Sequence, residues 1–482
     1  MEETWAKAGV AGGQAEVAGV DLHLDLSGTR VRAGLESTLR DAIRAGRLHP
    51  GTRLPSSRAL AADLGIARNT VAEVYSQLVA EGWLTAQTGA GTSVAARRAL
   101  APGAAVTARL AEPRPRYDLR AGVPDLSAFP RRAWLATARK VLAAAPDHLL
   151  GYPDPRGLPQ LRTALADYLA RARGVLADPE RIVICAGFAH GLASISRALR
   201  ATGAATLAVE EYGHQAHRDI AAGQGLRLRP LPVDGMGAVI SRADGADAVL
   251  LTPAHQFPLG MALHPRRRGE AADWGGVVIE DDYDGEFRYD RQPVGALQTL
   301  APDHVIYAGT ASKSLSPSLR LGWLVVPPRL LDAVTAELAA GPSALDQLTL
   351  AEFITSGGYD RQIRRARLAY RRRRDRLATA LHRRGLQVTG IAAGMHAVLE
   401  LSGTGPEQAA LSRASQHGLA IEGLGSYRAG RTGPDDDDHL VRAGLVIGYG
   451  RPPEHAYTTA LARLCAVLPP ELLPVPYPGP GS

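Results

Sequence analysis

Three helical patterns follow one another near the start of the chain. In VRAGLESTLRDAIRAGRL, which begins at Val31, the apolar residues Leu35, Leu39, Ile43 and Leu48 recur at roughly helical spacing, so one face of a helix can be buried. The stretch HPGTRLPSS interrupts the pattern with two prolines and a glycine. Ser56 or Ser57 then stands where a side-chain oxygen caps a second helix, SRALAADLGI, and Gly65 is placed to end it. A third helix is expected over Ala67 to Leu78, with Val71, Val74, Tyr75 and Leu78 on its buried side. Beyond it, GWLTA and TSVAA are short extended segments around a glycine-rich turn, as in a two-stranded wing. Helix, glycine turn and helix make the spacing of a helix-turn-helix, whose second helix can lie in a major groove.

The pattern then lapses and resumes with a different period. Residues 97–116, RRALAPGAAVTARLAEPRPR, hold five arginines against one glutamate and three prolines, with no apolar repeat, and read as a basic flexible linker. After it, the β-branched segments RIVICAG, ATLAVEE, AVLLTPA, GGVVIEDD, HVIYAGT and LGWLVVP alternate with longer amphipathic stretches. That alternation predicts an α/β domain on a mostly parallel sheet. The expected organisation is a reader over residues 28–96, the linker, a large domain over 117–468 and a Pro/Gly-rich tail over 469–482.

Composition changes this picture little. A hydrophobic content of 45% over 482 residues fills more than one core, and a net charge of +7 permits a polyanionic partner without requiring one. Cys185 and Cys465 stand far apart in apolar surroundings, which argues for a reducing compartment and against a thiolate metal cluster. Neither a long apolar run nor a signal-type start is present, so a cytoplasmic chain, nucleoid-associated when on DNA and without membrane or metal, is expected.

The candidate chemistry sits in two places. At the start of the third helix, Arg68, Asn69 and Thr70 can face phosphates or base edges together with the helix N-terminus, and Arg58 can clamp the backbone. In the large domain, ligands collect at strand C-termini, and polar residues follow the strands there: Glu210 to Tyr212, His255 with Gln256, Asp281 to Tyr283, and Ser312 with Lys313. An aldehyde cofactor needs an amine for a Schiff base, its pyridine nitrogen needs an acidic partner, and its phosphate needs backbone donors, hydroxyls and a cation. Lys313 is the Schiff-base candidate, Asp281 the partner of the ring nitrogen and Tyr283 that of the ring hydroxyl. Gly187, Phe188, Thr310, Ser312 and Arg320 are candidates for the phosphate.

Two resemblances follow from these motifs. LPSSRALAADLGIARNTVAEVYSQLVAEGWLTAQTGAGTSV resembles the winged helix-turn-helix of the GntR superfamily of bacterial regulators, whose usual DNA contacts fall on Arg58, Arg68, Thr70 and the wing turn Gly89, Gly91 and Thr92. YPDPRGLPQLRTALADYLARARGV, LLTPAHQFPLG, VVIEDDYDGEFRY and YAGTASKSLSPSLRLGWLVVP resemble fold-type I pyridoxal-phosphate enzymes of the aminotransferase class, in wording closest to MocR-type, GabR-like regulators. The resemblance implies pyridoxal 5'-phosphate on Lys313, Asp281, Tyr283 and Arg320. It places Tyr212 against the ring, His255 at the other edge, and Tyr152 on the phosphate of a neighbouring subunit, hence a head-to-tail homodimer with domain exchange. It further implies binding to double-stranded operator DNA and a response to pyridoxal phosphate, a small amine or an amino acid.

Departures from the family wording mark where the pocket differs. Leu259 replaces a threonine in HQFPLG, Ala189 and His190 replace glutamines in GFAHGL, and Ala311 stands in GTASK. A ligand carboxylate calls for an arginine, for which Arg442 is the candidate, although the position that aminotransferases use is occupied by Leu445 and Val446. Without such a clamp the effector is the cofactor itself. The basic run RQIRRARLAYRRRRDRLATALHRR reads as the solvated face of a helix, with DNA or linker contact as the alternative. Two functions remain open on sequence: a cofactor-sensing transcriptional regulator, or a working aminotransferase with an accessory reader.

Overall fold

The computed structural model describes residues 31–87, 91–96, 115–152, 154–289, 294–338, 341–430 and 442–468, together with a backbone hairpin of strands Gly13–Val17 and Val20–Leu24. Two compact units divide the chain, Met1–Pro113 and Arg114–Ser482. Most of the expected linker, the wing-turn residue Gly89 and the tail lie outside the described residues.

In the first unit, helices Val31–Arg44, Ser57–Leu64 and Arg68–Ala80 pack around Leu35, Leu39, Leu60, Val71, Val74 and Leu78. Ala42, rather than Ile43, completes the buried stripe of the first helix. Ser56 is the cap: its hydroxyl accepts the Ala59 N–H at 3.2 Å. Gly65 ends the second helix at φ 64°, a left-handed conformation that a side chain makes costly. Strands Leu84–Gln87 and Gly91–Val94 form the wing. The segment HPGTRLPSS, besides interrupting the helical pattern, pairs with the wing, through Gly51 N to Val94 O and Leu54 N to Thr92 O, each at 2.9 Å.

The second unit is built on a seven-stranded sheet. Across it run Ile182–Cys185, Gly322–Val325, Val305–Thr310, Val277–Asp281, Ala248–Leu251, Thr206–Glu210 and Arg227–Leu231. Only Gly322–Val325 is antiparallel to its neighbours. The strands are near-continuous apolar runs because helices cover both faces, so each side chain meets a core. A smaller four-stranded sheet holds Val388–Thr389, His396–Leu401, Ala443–Gly448 and Glu422–Gly423 in that order. The basic run is the helix Gly358–His382, which buries Tyr359, Ile363, Ala366, Tyr370, Leu377 and Leu381. One of its arginines, Arg373, is itself buried and paired with Asp125 at 2.8 Å.

Candidate functional site

The parallel strands end on one side of the large sheet, and there a cleft of about 190 Å³ opens. Lys313 follows strand Val305–Thr310 and Asp281 closes strand Val277–Asp281, its parallel neighbour, so the amine and the carboxylate reach the same cavity. Gly187, Phe188, Tyr283, Thr310, Ser312 and Arg320 line it too.

Lys313 Nζ donates to Gly122 O at 2.6 Å. Burial pulls its ammonium below the ordinary lysine value, against the opposing pull of Asp281 and Asp284. Asp281 shows the converse. Burial drives its carboxyl well above the usual range, the charge of Lys313 opposes the shift, and Oδ1 has no hydrogen-bond partner among the described residues. A buried carboxylate oxygen without a donor is costly, and a protonated ring nitrogen placed there would supply the donor.

At the other end, Gly187 caps the helix Phe188–Ala201 at φ 84° with no side-chain cap, so the first N–H groups of that helix face outward. The guanidinium of Arg320 lies 3.6 Å from where a Cβ on Gly187 would stand, and Arg320 takes up a left-handed backbone, φ 52°, to reach it. Thr310 Oγ1 and Ser312 Oγ are 2.8 Å apart beside them. Helix N–H groups, two hydroxyls and one cation form a phosphate cradle. Carboxylate, amine and cradle together fit pyridoxal phosphate.

Several residues named from the sequence lie elsewhere. Tyr212 does not line the cleft; it is buried, and its hydroxyl accepts the Arg442 N–H at 3.0 Å. Two residues further on, His214 lines the cleft and stacks on Phe257 with centroids 4.0 Å apart and planes 15° apart. His217 joins it against Phe188. Burial holds these imidazoles at about 2 and about 4, so both stay neutral beside Lys313. The signal in EEYGHQAHRD is the two histidines, three residues apart after a strand, rather than the tyrosine.

His255 is also outside the lining, behind Tyr283. Arg442 is no free clamp, because its guanidinium is bonded to Glu400. The arginine whose charge reaches Lys313 is Arg451, unmarked in the sequence and paired with Asp118 at 2.6 Å. Tyr152 projects into solvent, fully exposed. Among the substitutions, His190 takes the Ala186 N–H at 3.0 Å, Leu259 joins a buried cluster with Phe257 and Tyr427, and Ala189 lines the cleft.

In the reader, Arg58, Arg68 and Asn69 are exposed and Thr70 is half-buried. Arg53, not singled out from the sequence, lays its guanidinium along the wing beside Gly91. Thr92 follows in the same strand.

Residues 117–463 match the family described as aminotransferase class I and II, and residues 32–94 match the bacterial regulatory proteins of the gntR family. The HTH-type pyridoxine biosynthesis transcriptional regulator PdxR of Corynebacterium glutamicum is 33% identical over 450 residues, which cover 90% of this chain and 95% of that protein. The probable rhizopine catabolism regulatory protein MocR of Rhizobium meliloti is 36% identical over 388 residues, 73% of this chain and 77% of that protein. The chain belongs to the MocR-type regulators of the GntR superfamily. As a MocR-type protein it is a DNA-binding transcriptional regulator whose reader is fused to a pyridoxal-phosphate-type, aminotransferase-like domain, and membership implies operator binding and dimerisation. The MocR-type fold agrees with solved structures: an archaeal alanine:glyoxylate aminotransferase superimposes with a TM-score of 0.64 at 22% identity, covering 73% of this chain and 90% of that one. A kynurenine aminotransferase from Pyrococcus horikoshii gives the same TM-score and identity over 74% and 91%. Among the described residues of this MocR-type chain, no helix is long and apolar enough to cross a membrane.

Proposed function

We propose that the large domain senses pyridoxal phosphate, alone or joined to an amino compound, through Lys313, and that occupancy of the cleft alters how a dimer binds its operator. The observation that carries this reading is the buried Asp281 Oδ1, left without a protein donor in a cleft that also holds Lys313 and the cradle at Gly187 and Arg320. When bound, the cofactor supplies an aldehyde that links reversibly to amines and a ring that accepts electrons.

The chain's own residues supply the rest. Desolvation raises the share of neutral, nucleophilic amine on Lys313, and the Gly122 carbonyl would hold that amine whenever it is not joined to the cofactor. Asp281 would hold the ring nitrogen, Tyr283 would donate to the ring oxygen, and Thr310, Ser312 and Arg320 would hold the phosphate. His214 covers the ring without adding charge. Tyr152 would reach the phosphate of a second subunit in a head-to-tail, domain-exchanged homodimer, a role that its full exposure supports.

A working aminotransferase would use the same lysine as proton carrier. Against that reading, Arg442 is held by Glu400 and Arg451 by Asp118, so a substrate carboxylate would have to break an existing ion pair. The test is binding of the full chain to its upstream DNA at fixed salt, for native protein and Lys313→Ala, with and without pyridoxal phosphate, alongside the absorbance spectrum. The cofactor is expected to change native DNA affinity about fivefold or more, and Lys313→Ala to bind DNA without that response. A cofactor band with fast keto-acid exchange and no specific DNA complex would overturn the regulator reading in favour of the enzyme.

A further inference from the structure

Behind Tyr283 lies a hydrogen-bonded group that the cleft does not expose. His255 Nδ1 is 2.9 Å from Asp284 Oδ2 and 3.1 Å from the Tyr283 hydroxyl. Both His255 and Asp284 are buried, at 3% and 2% exposure, so no water competes for these contacts. On the far side, the His396 ring lies 5.0 Å from that of His255, and its Nε2 is 3.0 Å from the Pro258 carbonyl. The backbone is shaped around the pair. Gly394 has φ 71°, and a Cβ there would stand 2.3 Å from His255 Cε1 and 2.6 Å from Asp284 Oδ2.

The proton inventory gives this group a direction. A carboxylate oxygen accepts, so the contact with Asp284 puts a proton on His255 Nδ1. A protonated Nδ1 cannot accept from the phenol, but it can share its proton with the phenol oxygen. Burial and the nearby carboxylates Asp284, Asp281 and Glu210 keep Tyr283 protonated. Asp284 also engages the Tyr283 hydroxyl, so a ring oxygen in the cleft would compete with Asp284 for the phenol proton while His255 holds the phenol oxygen from behind.

We infer that Asp284 and His255 are positioning residues: Asp284 sets the tautomer of His255, and His255 orients Tyr283 as the hydrogen-bond donor to the ring oxygen of the cofactor. This rests on the reading of the cleft as a pyridoxal-phosphate site. A donor to that oxygen favours its anionic form and lowers the pH midpoint at which the absorbance band of Lys313-bound cofactor changes. Asp284 is unsuitable as the probe, since its charge, with those of Asp281 and Arg451, acts directly at Lys313. His255 isolates the relay.

The experiment is a double-mutant cycle on the full-length, cofactor-loaded protein, read by the pH titration of that band. Tyr283→Phe is expected to raise the midpoint by about one pH unit, the scale of one lost hydrogen bond. His255→Leu should raise it in the same direction by less, His255→Asn, whose amide can stand in for Nδ1–H, should restore it, and His255→Leu should add nothing in the Tyr283→Phe background. If His255→Leu does not fold, His255→Ala, which also lacks a donor, takes its place. Equal shifts in both backgrounds, or no shift on the native background, would overturn the inference while leaving the cofactor site intact. Native protein that forms no band with pyridoxal phosphate would overturn the site reading itself.

Discussion

At the scale of single residues, Asp281 is where the cleft's requirements conflict. Its carboxylate is buried beside a lysine with one oxygen unpaired, which destabilises the protein without ligand and favours binding of a cationic ring nitrogen. Asp281→Asn should therefore weaken retention of pyridoxal phosphate roughly 10- to 100-fold, the worth of one charge-assisted hydrogen bond, measured by equilibrium dialysis. The same variant should melt higher than native protein when both lack ligand; equal retention of cofactor would remove Asp281 from its role. That Lys313, Asp281, Tyr283, Thr310, Ser312 and Arg320 line one cleft was legible in the sequence because each sits near a strand end. Tyr212, His255 and Arg442 fall outside the cleft lining for a different reason. Their direction is set by partners far along the chain: Arg442 N–H for Tyr212, Asp284 for His255 and Glu400 for Arg442.

At the scale of elements, the reader depends on one turn and a few free charges. Gly65 ends the helix Ser57–Leu64 in a left-handed conformation, so Gly65→Ala should destabilise the first unit by about 1 kcal/mol. The first thermal transition of the full chain should fall, and an unchanged transition would mean that the turn relaxes. Arg58 and Arg68 are exposed and have no ion-pair or hydrogen-bond partner among the described residues. Replacing either by Ala should lower the slope of log binding constant against log salt by about one on operator DNA. An unchanged slope would place that arginine off the phosphate backbone. Helix periods and the cap at Ser56 were legible because they are local signals. The pairing of Gly51 and Leu54 with the wing was not, since it joins segments about forty residues apart that carry no apolar alternation.

At the scale of the whole molecule, the site leaves a mark on stability. Burial holds Glu210, Glu280 and Glu286 at about 7, so their contribution is full below the ordinary carboxylate value of 4.5 and is lost as pH rises through about 7. Burial holds His214, His217 and His396 at about 2, about 4 and about 3, so theirs is present above 6.5 and is lost as pH falls toward those values. The melting temperature of ligand-free protein should rise as pH is lowered from about 8 to about 6.5, then level off as the two sets oppose each other. A steady fall over that first interval would mean that these carboxyls are not buried as described. By itself the sequence determined the two-part plan, the helix-turn-helix, the α/β class and the lysine after its strand, because period, turn residues and strand ends are properties of neighbouring residues. Only the tertiary structure decided that His214 rather than Tyr212 lines the cleft, that the candidate carboxylate arginine, Arg442, is already paired, and that His255 stands behind Tyr283. Those outcomes depend on which buried charges and hydrogen-bond groups folding brings within 3 Å of one another, and no local pattern encodes that.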